Sequence, residues 1–279
     1  MNKAIAIFLV MMHTYLTAAI QHQTINDAQG KPVNCLTGNK VPQLNFSGTI
    51  KGSKNSMIDL RGCLFSRSTF KPGTTFSYVD FKGATFPPLK TLSNIIFDHC
   101  SLQGASFVAS KLDHTTVQFS NFQDAIFNFA SIANSSFDAS ILKNVHASPI
   151  KLSNTTFSLV NAENANFERS LFNNVIFTKL SLLSGASFQN LKAGSSDVTF
   201  GGGDLGNLDL SYAKFGGANI KNLTISGMGD EFGVDVSDLF MDANTRFDNP
   251  TFTNICITKD GKQICADDLT LEELKEDLY

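Results

Sequence analysis

From residue 97 onward an apolar residue falls on every fifth position: Phe97, Leu102, Phe107, Leu112, Val117, Phe122, Phe127, Ile132, Phe137, Leu142, Ala147, Leu152, Phe157, Ala162, Phe167, Phe172, Phe177 and Leu182. Sixteen of these eighteen are Phe, Leu, Ile or Val. Two residues before each stands a second uncharged position, running from Ile95 and Cys100 to Val175 and Leu180, and fifteen of these are Ala, Ser, Thr, Cys or Val. Asp, Asn, Gln, Lys and Glu collect in the other three phases. A strand repeats its inward face every second residue and a helix about every 3.6, so neither element explains the period. The exceptions fit a close-packed interior. Where the centre shrinks to Ala147 or Ala162, the residue two before it is Val145 or Val160, and volume passes from one inward position to the other.

The period extends both ways. Leu60, Phe65 and Phe70 are in step, with Ile58, Cys63 and Ser68 two before them. Phe76, Phe81 and Phe86 follow one residue late, as do Leu92 and Phe188. After a break over 189–199, Phe200, Leu205, Leu210, Phe215, Ile220 and Ile225 resume it, giving 32 repeats between about 58 and 227.

GASF (104–107), DAIF (124–127), NANF (164–167), GASF (185–188), YAKF (212–215) and GANI (217–220) make the chain resemble the pentapeptide-repeat family, whose unit is A(D/N)LXX or its Phe-centred form. The resemblance covers roughly 170 of the 279 residues. It implies an all-β fold, a right-handed quadrilateral parallel β-helix with four five-residue sides per coil and about eight coils. Each step then turns the chain about a corner, so a period of five keeps one side chain aimed down the axis. Coils pair as in a parallel sheet, with a rise near 4.8 Å and a rod of roughly 40 Å. The expected core stacks Phe97, Phe107, Phe122, Phe127, Phe137, Phe157, Phe167, Phe172 and Phe177. Stability is close to a sum of neighbour terms, so both ends need caps.

Outward columns are read at spacings of 20. Asn134, Asn154 and Asn174 share one and Asn144 and Asn164 another, placed for side-chain hydrogen bonds between coils. A third, His99, Phe119, Ala139, Leu159 and Lys179, is partly apolar, and Phe129 lies on the opposite face. Phe119, Leu159 and Phe129 are the candidate interaction face. The alternative is two stray surface aromatics.

Four segments follow: 1–19, 20–57, 58–227 and 228–279. The first reads as a signal peptide, with Lys3 ahead of a short apolar run over 4–16 and cleavage near Ala19; an uncleaved anchor and an ordinary helix are the alternatives. No later run is long and apolar enough to cross a bilayer. Residues 20–57 read as an irregular N-terminal cap with a strand near 43–50. Net charge is −3 overall, but 228–279 carries 13 acidic and 4 basic residues, a net of −9, against 11 and 13, or +2, for 58–227. ANTRFDNPTF (243–252) resembles the TRFP-like stretch that closes many such arrays, with Asp248 where Pro often stands. NICITKDGKQICADD (254–268) reads as a hairpin about Asp260-Gly261. That register sets Cys256 opposite Cys265, a disulfide in an exported chain, with free thiols or a metal site as alternatives. Thr270-x-x-Glu273 is a capping box for a terminal helix bearing Leu271, Leu274 and Leu278. Cys63 and Cys100 are set too far apart along the axis to bridge, and Cys35 pairing with Cys63 stays open.

Catalytic chemistry is not evident. His22, His99, His114 and His146 have no metal-ligand spacing and read as surface histidines. Gly201-Gly202-Gly203 lacks the Lys-Ser/Thr of a phosphate loop. No catalytic, cofactor-binding or metal-ligating residue is assigned, and no cofactor is expected. The expected function is a non-enzymatic exported solenoid that binds a protein partner or serves a structural role in the bacterial envelope or outside the cell. A bacterial effector delivered to a host cell is the alternative, on the acidic tail EELKEDLY. A DNA-mimic topoisomerase inhibitor, known within the family, ranks lower because the rod is near +2 and a leader would carry it away from DNA. No nucleic-acid partner is expected, and the oligomeric state is undecided.

Overall fold

The structure is a computed structural model. It describes residues 21–178 throughout and, beyond them, 181–183, 185–189, 191–193 and the strand residues named below. The leader with its cleavage point, Gly202 and Gly203 of the triglycine, and the terminal helix with its capping box lie outside the described residues.

The chain winds as a stack of parallel coils. One ladder threads Ile50, Phe76, Phe97, Val117, Phe137, Phe157, Phe177, Phe200, Ile225 and Phe252 in register. A second side pairs Leu92, Leu112, Ile132, Leu152 and Phe172. The other two sides are single bridges, Asp80–Ser101–Asn121–Ile141–Asn161 and Thr85–Ser106–Ile126–His146–Asn166. Four sides therefore meet at four corners. At each corner one residue takes positive φ, at 94, 99, 104, 109, 114, 119, 124, 129, 134, 139 and 144 and again at 154, 159, 164, 169 and 174. The gap falls at Pro149, whose ring excludes positive φ; there the Ser148–Pro149 bond is cis. A left-handed residue every fifth position is the local reason the chain turns where it does.

Both inward phases point into one continuous core. Phe97, Phe107, Phe122, Phe127, Phe137, Phe157, Phe167, Phe172 and Phe177 are all buried. Rings stack along the axis, Phe86 on Phe107 at 4.2 Å and Phe107 on Phe127 at 4.8 Å, and again Phe137, Phe157 and Phe177 at 5.0 and 4.6 Å. Rings of neighbouring columns meet edge to face, as Phe97 does Phe107 at 87°. Ala147 interrupts one column, with Val145 buried beside it, and Ala162 with Val160 does the same.

The residues two before the centres are small for a second reason, which the sequence does not announce. At two corners a turn closes on itself, as Ala105 N–H donates to Leu102 O and Ser110 N–H to Phe107 O. At the other two the corner N–H is taken by a serine of the following coil. Cys100 N–H donates to Ser120 Oγ, Thr115 N–H to Ser135 Oγ and Ser120 N–H to Ser140 Oγ, at 3.0–3.1 Å. Each serine passes its own proton to a carbonyl two residues back. A buried donor left without a partner costs about 1–3 kcal/mol, and serine meets the need at a site too narrow for more.

Parallel pairing runs past 58–227 in both directions. Asn45–Phe46 pairs with Thr69–Phe70 and Thr49–Lys51 with Thr75–Ser77. Arg246–Asp248 pairs with Asn219–Lys221, and Thr251–Lys259 with Leu223–Ser226. The segment before residue 45 covers the end of the stack. Gln21–Gln23 adds a parallel strand to Ser56–Asp59, Val33 is buried, and Cys35 is disulfide-bonded to Cys63. At the other end Thr251–Lys259 and Lys262–Asp268 form an antiparallel hairpin with Cys256 opposite Cys265. The side chains of that pair lie outside the described residues.

Candidate interaction surfaces at the corners

Whatever stands at a corner points away from the axis, so the four corner columns are the most projecting part of the rod. Their chemistry differs. The column of Asn134, Asn154 and Asn174 is a polar ladder: Asn174 Nδ2 donates to Asn154 Oδ1 at 3.1 Å, Asn154 Nδ2 to Asn134 Oδ1 at 3.0 Å, and Asn134 Nδ2 to Asp113 Oδ1 at 2.9 Å. The bond from Asn134, with one from His114, holds the Asp113 carboxyl below its usual range. Asn144 Nδ2 likewise donates to Asp124 Oδ1. Asn is the non-glycine residue best suited to the left-handed corner, and here its amide also ties one coil to the next.

The column of His99, Phe119, Ala139 and Leu159 is apolar and extends one coil further toward the N-terminus than its sequence spacing shows. Tyr78 stacks on His99 at 4.7 Å and His99 on Phe119 at 4.9 Å. His99 Nδ1 is bonded to Asp98 Oδ1 at 2.6 Å, and Asp98 Oδ2 accepts from Ser77 Oγ. His99 is therefore a rung between two rings, where the sequence suggested an ordinary surface histidine. Phe119 is 50% exposed, Ala139 is buried and Leu159 is half-buried.

Phe129 occupies the opposite corner and makes no common surface with Phe119. It is 70% exposed, and Leu89, two coils earlier in the same column, is 76% exposed. Val108 and Leu171 are exposed on the flanks. Leu89 lies outside the run of inward centres that starts at Phe97, but its column keeps the 20-residue step. Counting back 40 from Phe129 finds it.

The remaining polar clusters are structural. Arg61 makes two hydrogen bonds to Asp59, at 2.9 and 2.8 Å, and His22 Nε2 meets Asp80 Oδ2 at 2.9 Å. Burial pushes the Asp59 carboxyl up, but the Arg61 bonds outweigh it and hold it below its usual value. Cys100 is buried, donates to Phe76 O at 3.3 Å, and has its thiol pushed up by burial to about 12, which leaves almost no thiolate for chemistry. Among the described residues no group of three or more His, Cys, Asp or Glu is placed to hold a metal ion, and no helix is long and apolar enough to cross a membrane.

The family model for pentapeptide repeats matches residues 91–128, in 8 copies. No curated protein matches the chain. Among solved structures, similarity is found to HetL, a pentapeptide repeat protein involved in heterocyst differentiation regulation from the cyanobacterium Nostoc sp. strain PCC 7120. The identity is 16%, over 74% of this chain and 91% of that chain, at a TM-score of 0.30. It is also found to a trypsin-treated form of QnrB1, a plasmid-mediated fluoroquinolone resistance protein, at 18% identity over 81% of this chain and 91% of that one, with a TM-score of 0.30. The matched repeats, residues 91–128, lie within the register of parallel coils, and the fold of the chain is that of a pentapeptide-repeat β-helix.

Proposed function

We propose that this chain is an exported, non-enzymatic solenoid that serves as a protein-interaction or structural module in the bacterial envelope or outside the cell. One observation carries the interaction reading. A rod whose core is fully packed presents, along a single corner, the apolar strip Tyr78, His99, Phe119, Ala139 and Leu159. Stacked rings fixed on rigid corners lose little side-chain freedom on meeting a partner. Export is supported by the apolar leader in the sequence and by the Cys35–Cys63 disulfide, a bond that persists in oxidising compartments. The Cys256–Cys265 bridge belongs to the same proposal, since the hairpin register brings the two residues opposite each other.

The test is a pull-down from envelope and culture fractions with the wild type and with a Phe119→Ser, Leu159→Ser double variant. Both side chains lie outside the core, so the variant should melt as the wild type does and lose the partner. Unchanged capture would remove this corner from consideration. Mass spectrometry of the protein recovered from each fraction reads the mature N-terminus, expected near residue 20, and shows whether Cys256 and Cys265 are bridged.

A further inference from the structure

We infer that the corner carrying Leu89 and Phe129 is a docking edge for an anionic lipid surface. The residues there alternate by coil. Along the corner run Leu89, Ala109, Phe129 and Arg169, all at positive φ. On the adjoining side Lys111, Ser131, Lys151, Leu171 and Lys192 stand in one register column. Apolar tips at Leu89, Phe129 and Leu171 thus interleave with cations at Lys111, Lys151, Arg169 and Lys192. All seven are exposed. Lys90 adds a further cation next to Leu89, and a groove of about 320 Å³ lined by Ser68, Phe70, Pro87 and Lys90 opens beside them.

Two cations elsewhere are matched, Arg61 with Asp59 and Lys143 with Glu163 at 2.8 Å. Among the described residues none of the cations on the edge is in an ion pair. The two carboxylates on its flanks are engaged locally, Asp113 with His114 and Asn134, and Glu168 with Ser187. The edge therefore offers unpaired positive charge around projecting hydrocarbon.

That combination fits a bilayer better than a folded partner. The apolar tips stand two coils apart, roughly 10 Å at the parallel-coil spacing, so they form no contiguous patch for a protein hot spot to fill. Separate tips entering the headgroup boundary need no such patch, and long lysines adapt to mobile phosphates. The straight edge from Leu89 to Lys192 spans five coil steps, about 24 Å, and can touch a flat surface along its whole length. The inference is independent of the Phe119 corner and of the partner proposed for it.

The test is co-sedimentation of the full chain with vesicles of phosphatidylcholine alone and of phosphatidylcholine with phosphatidylglycerol. Binding is expected to the anionic vesicles, to fall as salt rises, and to be absent on the neutral ones. A Lys111→Gln, Lys151→Gln variant should weaken it about fivefold per cation. A Leu89→Gly, Phe129→Gly variant should weaken it by at least about tenfold. Glycine suits the left-handed corner, so that variant keeps the fold, which a melting temperature no lower than that of the wild type verifies. The Phe119→Ser, Leu159→Ser variant should bind vesicles as the wild type does. Equal binding to both vesicle types, or binding that survives the edge variants, overturns the inference; the apolar leader alone would bind in that way. Loss in the lysine variant but not in the glycine variant also overturns it, because the edge would then be a polyanion site without membrane contact. Complete displacement by soluble glycerol phosphate would assign the edge to a small phosphate ligand and overturn it as well.

Discussion

Four phenylalanines within eleven residues have two opposite fates. Phe122 and Phe127 are buried in the axial core, while Phe119 and Phe129 stand 50% and 70% exposed at opposite corners. Two residues separate Phe127 from Phe129, and the difference is one of phase. A centre faces the axis, and the residue two later takes positive φ and faces out. Residue type, which usually hints at burial, says nothing here. The interior fixes the winding and constrains every side chain that enters it. The corners accept Asn, Gly, Leu, Phe or Arg on the same backbone, at a conformational cost to the bulky ones. The corners are thus where one such rod can differ from another without a change of fold.

Phe127→Ala tests the inward half of that contrast and has the largest expected effect. The ring stacks on Phe107 at 4.8 Å and packs against Phe122. Its column is already interrupted one coil later by Ala147, so a second deletion leaves a hole that no neighbouring ring can fill. A loss of about 3–5 kcal/mol is expected, read as a lower denaturant midpoint. A loss below about 1 kcal/mol would mean that the coils relax around missing rings and that phase matters less than the packing suggests.

The corner serines give a finer test. Ser135→Ala removes the acceptor of the Thr115 N–H and should cost about 1–2 kcal/mol. Thr115→Val should do the opposite. Thr115 Oγ1 is buried without a hydrogen-bond partner, and an isosteric methyl removes that unmet group, for a gain of about 1 kcal/mol. Opposite signs at neighbouring inward positions would separate the hydrogen-bonding demand of the corner from its demand for small volume.

The fold was legible because its period is unlike that of any helix or strand and is kept over eighteen successive centres. What the sequence hid has physical causes. At the two-before positions, narrowness and hydrogen bonding both select serine, so Ser120, Ser135 and Ser140 looked merely small. Near the N-terminus, extra residues change the rung spacing: Ile50 to Phe76 is 26 residues and Phe76 to Phe97 is 21, where the rungs from Phe97 to Phe177 keep 20. Outward columns cannot be extrapolated across such shifts, so Tyr78, 21 residues before His99, was missed while Phe119 and Phe129 were found. The Cys35–Cys63 pairing was open for the same reason, since the covering segment has no period to place Cys35.

Phe129→Gly tests the outward half, and its expected sign is reversed. A bulky residue at φ 62° is strained, and its ring is mostly in water. Glycine takes this conformation freely, and even after its larger unfolded-state entropy the variant should gain about 0.5–1 kcal/mol. A destabilised variant would show that the ring has an intramolecular role and would weaken its assignment to a docking edge.

Asp113 carries the smallest effect and the sharpest check on the polar corner. Asn134 Nδ2, the foot of the ladder, and His114 both favour its charged form, so the folded carboxyl titrates below its unfolded value. A depressed carboxylate stabilises the fold at pH above the unfolded value, near 4, and that contribution is lost as pH falls through the lower folded value. Removing the amide with Asn134→Ala should raise the Asp113 pKa toward the ordinary range, read by NMR titration of its carboxyl carbon, and should remove part of the stability above pH 4 but none well below it. The Asn154–Asn174 bond, two coils away, should persist. If Asp113 keeps its depressed value in that variant, His114 alone sets it, and the ladder is a row of independent amides with no electrostatic link to the carboxylate at its end.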